Sequence, residues 1–119
     1  MKITKHINVT NKIATYDKVA EGIIVCGNSN YQIEFTFDAE WAGYDKKKAS
    51  FTAYVDGEYR GVNVEFSGNV CPVPPVFNTT LLEVGVFIEG GIRTTTSAEI
   101  KCRKCALCRN PKSMLTPEQ

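Results

Sequence analysis

From Tyr31 the chain alternates in character: Tyr31, Ile33, Phe35 and Phe37 take one side, and Gln32, Glu34 and Thr36 take the other. A period of two is the mark of a half-buried antiparallel strand. Ala49, Phe51, Ala53 and Val55 repeat it, and Asp56-Gly57 then offers the positive φ angles of a two-residue hairpin turn. The returning strand, YRGVNVEF, carries Val62, Val64 and Phe66 on one face. After SGN, the segment VCPVPPVF holds Pro72, Pro74 and Pro75, which cannot donate to ladders on both sides, so it predicts an edge or crossover segment. Leu82, Val84, Val86 and Ile88 share a further face. Gly90-Gly91 provides a reversal, and IRTTTSAEIKC is rich in β-branched residues, which predicts a third hairpin.

Near the start, KITKHINV and GIIVC read as two more short strands. Between them, NKIATYDKVAE fits two periods: Ile13, Tyr16 and Ala20 would share a helical face, while Ile13 to Tyr16 would suit a strand. The strand is the reading adopted. About seven to eight short strands with turns between them predict an all-β fold, an antiparallel β-sandwich of immunoglobulin-like layering. Residues 1–103 form the sandwich in this reading, and residues 104–119 form a polar, cysteine-containing tail. The tail ends in Thr116-Pro117-Glu118-Gln119, the pattern of an N-cap, a proline at the first helical position and an acidic first turn. A helix is expected to start there and the natural chain to run on.

A length of 119 residues is that of one domain, able to bury about two-thirds of its unfolded surface. A formal charge of +1 supplies no field to gather nucleic acid or anionic lipid, and no apolar run is long enough for a membrane span or a signal peptide. A cytoplasmic site of synthesis is therefore expected. There the Asn8 and Asn78 sequons stay idle and the five cysteines, an odd number, stay largely as thiols.

The strongest chemical candidate is Cys102-Arg-Lys-Cys105-Ala-Leu-Cys108, because thiolates at this spacing can grip one metal. The bacterial ferredoxin run would put a fourth cysteine at position 112, where Lys112 stands, so the iron–sulfur reading loses its most specific element. Zinc would need Cys71, Cys26 or a cysteine of another copy. His6 is the only histidine and has no nucleophile motif near it, so it reads as a surface or packing residue. Asp38, Glu40 and Asp45 fit neither a calcium loop nor a glycosidase pair and read as caps of a strand and its loop. Lys46-Lys47-Lys48 beside Trp41 and Tyr44 suggests a nucleic-acid or glycan contact by charge plus aromatic stacking, with Trp41 and Tyr44 as the candidate glycan or partner contact. The plainer reading is a solvated strand entry whose lysines guard an edge. Phosphate loops, nucleophile elbows and zinc-helix motifs do not occur. The sequence therefore predicts a protein without a catalytic site or cofactor.

Taken together, IEFTFDAEWAGYDKKKASF, VCPVPPVF, LLEVGVFIEGGIRTTT and AEIKC cover most of residues 22–101 and give the chain a family likeness. It resembles the small β-sandwich modules at the amino-terminal end of baseplate-upper-protein and fibre-type virion components, from phages and prophages of Gram-positive bacteria. Phe37, Asp38, Glu40, Trp41, Gly43 and Lys46 fit the first block, and Leu82, Val84, Gly85 and Val86 fit the later strand. Ala49 and Phe51 arrive one residue late, which implies a lengthened loop around Tyr44 to Lys48. The Cys102 to Cys108 cluster is no part of that pattern.

The resemblance implies a virion structural module, a docking or adaptor domain of a fibre, baseplate or head-decoration component, with other virion subunits and further copies of itself as partners. Two alternatives stay open. One is a carbohydrate-binding module stacking cell-wall glycans on Trp41, Tyr44 and Tyr54 or Tyr59. The other is a small metal protein built on Cys102, Cys105 and Cys108. Trp41 itself is expected to close a strand end, with its ring over the core edge and its indole N–H paired.

Overall fold

The computed structural model describes residues 2–55, 57–75, 79–90 and 93–103. Asp56, Gly91, the Asn78 sequon, the tail from residue 104 with Cys105 and Cys108, and the expected helix start at Thr116-Pro117 lie outside the described residues.

Among the described residues nine strands pack as two sheets, which makes the fold an all-β sandwich. The four-stranded sheet has the order β2-β1-β4-β7, formed by Ile13–Thr15, Ile3–Thr10, Tyr31–Phe37 and Val70–Pro72. The five-stranded sheet has the order β3-β9-β8-β5-β6, formed by Ile24–Val25, Ala98–Arg103, Leu81–Phe87, Lys46–Val55 and Glu58–Ser67. The alternating runs place as their period requires: Tyr31, Ile33 and Phe35 are buried from one sheet, and Ala49, Phe51, Ala53, Leu82, Val84, Val86, Ala98 and Ile100 from the other.

Two pairings depart from the antiparallel expectation. β1 runs parallel to β4 from Ile3↔Tyr31 to Val9↔Phe37, and β3 runs parallel to β9. Parallel neighbours need a crossover between them, and the stretch from Ile13 to Asn30 provides the one from β1 to β4. That stretch follows the strand reading of NKIATYDKVAE, and the helical face of Ile13, Tyr16 and Ala20 does not form. Ile13–Thr15 forms β2, and Lys18–Glu21 forms a single helical turn, α1. The Asp17 carboxylate caps α1 by accepting the N–H groups of Val19 and Ala20, and Gly22 ends it at φ +80°. No described helix is long and apolar enough to cross a membrane.

The sheet edges differ sharply. β2 and β7 have three residues each and β3 has two, and β7 carries Pro72, an edge position as the prolines predict. These three edges are blunted by shortness or proline. The fourth edge is β6, ten residues in unbroken register with β5 from Lys46↔Ser67 to Val55↔Glu58. β6 is exposed from Glu58 to Asn63 and buries only Phe66, so it overhangs the opposing sheet.

Candidate functional site

At the end of β4, Asp38 to Gly43 turn the chain across the sandwich. Ala39–Trp41 is one turn of 3-10 helix, and Gly43 follows at φ +89°, where a side chain would strain the backbone. Trp41 is 2% exposed, and its ring lies 5.2 Å from Phe37. Phe37 continues through Phe35, at 5.5 Å, to Phe66 of the other sheet at 5.4 Å from Phe35, so one aromatic row ties both layers. The strand-closing role is where the sequence put it, but the expected partner of the indole N–H is not found among the described residues. Trp41 Nε1 is buried without a hydrogen-bond partner among the described residues.

The two acids near Trp41 hold a turn instead of facing a substrate. Asn11 and Lys12 join β1 to β2 with φ angles of 52° and 66°, the left-handed region that suits Asn and costs Lys. Asp38 Oδ2 accepts the Asn11 N–H at 2.8 Å, Glu40 Oε1 pairs with Lys12 Nζ at 2.9 Å, and the Lys12 carbonyl accepts the Thr96 N–H at 2.9 Å. Arg93 completes the cluster. Its Nε donates to the Glu40 carbonyl at 3.0 Å, its Nη1 is 3.4 Å from Glu40 Oε1, and its guanidinium stands 5.7 Å over the Tyr44 ring. Arg93 and Asn11 carried no local signal, because they reach this corner from sequence distances that no periodic pattern spans.

Trp41 and Tyr44, the candidate contact pair, therefore do not form an open stacking platform. Trp41 is enclosed, and half-buried Tyr44 is covered by Arg93. The exposed aromatic pair is elsewhere. Tyr54 and Tyr59 face each other across the β5–β6 hairpin with centroids 4.9 Å apart at 66°, and they are 54% and 74% exposed.

The lysine run also divides. Lys46 is exposed and Lys48 pairs with Glu89, but Lys47 is 5% exposed. Its Nζ donates to the carbonyls of Gly68 at 2.9 Å and Asp45 at 3.2 Å, and lies 5.0 Å from the Phe37 ring centroid. Burial pushes its ammonium below the ordinary lysine value, an effect the Asp45 charge opposes. The expectation of three solvated lysines guarding an edge is corrected on both counts, since β5 is an inner strand. The alternation already held the signal: Lys47 shares the parity of Ala49, Phe51 and Ala53.

His6 lies exposed on β1, with Nδ1 3.2 Å from Glu21 Oε1 and Nε2 3.4 Å from Glu34 Oε1, its cross-strand neighbour. Cys26, Cys71 and Cys102 are buried thiols. Of the three cysteines in the candidate metal motif, Cys102 is in β9 beside Cys26, while Cys105 and Cys108 lie outside the described residues. Among the described residues no group of three or more His, Cys, Asp or Glu is placed to hold a metal. An open groove of about 540 Å³ runs between β2, α1 and the start of β9, past Tyr16, Val19 and Ser97. Its Asp17 carboxylate is engaged in capping α1.

Burial pushes the Cys71 thiol from 9.0 up to about 12, and burial with the neighbouring Cys26 does the same for Cys102. A raised thiol pKa favours the folded state's bound proton, so this contribution is whole below pH 9 and is lost as pH rises toward 12. The urea midpoint is expected to fall between pH 9 and 11, and to fall less steeply in Cys71→Ala. Equal slopes in the two proteins would refute this account of Cys71.

No protein-family model, curated protein or solved structure matches the chain. What the described surface offers chemically is a long free strand edge with two exposed tyrosines at one end. Among the described candidates, Trp41, Lys47, Cys26, Cys71 and Cys102 are buried, and His6, Asp38 and Glu40 are engaged by structural partners.

Proposed function

We propose that the protein is a non-enzymatic structural module of a phage or prophage particle, a docking or adaptor domain that joins a fibre, baseplate or head-decoration element to other virion subunits. The observation that carries this reading is the asymmetry of the sheet edges: three are short, and β6 presents ten residues in register with nothing hydrogen-bonded beyond it among the described residues. Main-chain pairing along such an edge binds another chain without reactive chemistry. The arrangement of side chains agrees with it. The aromatic row joins the two layers, Asp38 and Glu40 hold a turn, and His6 faces two carboxylates on the surface. The likeness of the Phe37 to Lys46 and Leu82 to Val86 blocks to virion modules supplies the biological setting.

Particles purified from an induced lysogen that encodes the chain are expected to contain it at structural stoichiometry by mass spectrometry. Particles free of it would sink the reading.

A further inference from the structure

We propose that the β6 edge is a self-pairing surface. Two copies of the chain join β6 to β6 antiparallel, across a two-fold axis beside Val62 and Asn63, so that the five-stranded sheet of one protomer continues into that of the other. This deepens the docking reading and rests on it only for the use to which the contact is put.

The ladder with β5 decides which backbone groups are free. The Gly68 N–H donates to the Asp45 carbonyl, so in the Asp45 to Val55 ladder every second residue of β6, counting back from Gly68, points its N–H and C=O at β5. Tyr59, Gly61, Asn63 and Glu65 point theirs outward, and no other described residue donates to or accepts from them. An antiparallel partner centred at Val62 or Asn63 overlaps nearly the whole strand and satisfies about eight to ten of these bonds.

A second copy suits this edge better than a generic strand. Val62 is 52% exposed on the face that also carries half-buried Val64, and pairing about the axis sets Val62 against Val62 or Val64 of the other protomer. The charged residues of the strand, Glu58, Arg60 and Glu65, fall opposite uncharged positions in these registers, so no like charges meet face to face. Of the devices that block self-pairing, β6 has only those three charges, and it holds no proline, no lysine and no break in register. The chain's lysine run lies one strand inward, on β5. A two-fold pairing also closes on itself, which avoids open-ended stacking.

The test is sedimentation of the purified chain from micromolar to millimolar concentration, with three variants. Asn63→Pro removes an outward N–H and leaves the β5 ladder intact, and Val62→Lys brings two like charges to the axis. Ile13→Lys changes an equally exposed apolar residue in the short edge strand β2. A dimer is expected whose dissociation constant rises roughly tenfold or more in each β6 variant and stays unchanged in Ile13→Lys. If Asn63→Pro loses its β circular dichroism signal, Val62→Lys alone decides.

A monomer at every concentration overturns the proposal and leaves the edge to a strand of a different protein. An oligomer that survives the β6 substitutions overturns it too. Particles that lack the polypeptide would remove the virion reading and leave a measured dimer standing, whereas a monomer found in particles would do the reverse.

Discussion

Trp41→Ala is expected to lower unfolding stability by about 3–5 kcal/mol, measured as a shift of the urea midpoint at constant slope. Three losses contribute. The ring leaves a cavity at the end of the aromatic row that runs through Phe37 and Phe35 to Phe66. The 3-10 turn loses the side chain that seats it on the core. Through Asp38 and Glu40, the same segment holds the strained Asn11-Lys12 turn, so its loosening reaches β1 and β2. Trp41→Phe separates ring from N–H. It keeps most of the packing and deletes a buried donor that has no partner among the described residues, so it should cost less than half as much. A Trp41→Ala loss under about 1 kcal/mol would show the ring to be dispensable, and with it the aromatic tie between the sheets.

Lys47→Glu is expected to be comparably damaging, at about 3–5 kcal/mol, because it reverses the charge of an enclosed group. The Gly68 and Asp45 carbonyls that accept from the ammonium would face a carboxylate, and the faces of Phe37 and Phe66 that attract a cation would repel an anion. Lys47→Met is the informative companion. It preserves the length of the stem and removes the desolvated charge, leaving two carbonyls near the strand end that water can reach. Its midpoint should lie within about 1 kcal/mol of the parent. If Lys47→Glu were as stable as the parent, the side chain would have to be swinging out to solvent in solution. Lys46→Glu, one residue away on the exposed face, should change little.

Both predictions concern residues that the sequence marked without placing. Alternation from Tyr31 to Phe37 and from Ala49 to Val55 specified which side chains face inward, because a strand's side chains change sides at every residue whatever lies around it. The same rule, carried two residues back from Ala49, assigns Lys47 to the interior. A composition-based view of three adjacent lysines overrides that rule and fails. The prolines marked β7 as an edge for a similarly local reason, since a residue without an N–H cannot sit between two ladders. The segment from Asn11 to Glu21 was legible only in part: its strand period places β2, whereas the single turn of α1, capped by Asp17, buries no residue and so leaves no helical period to read.

What the sequence determined by itself was the all-β class, most inward-facing positions and the β5–β6 and β8–β9 hairpins, since each depends on neighbours within a few residues or on one reversal. Tertiary structure alone decided that β1 and β4 run parallel, that Arg93 and Asn11 meet the Asp38-Glu40 corner, that Trp41 is enclosed while Tyr54 and Tyr59 are not, and that the one long edge belongs to β6. These features depend on how separate segments stack in space. A side-chain period of two fixes the face a residue takes and carries no information on which distant strand covers it.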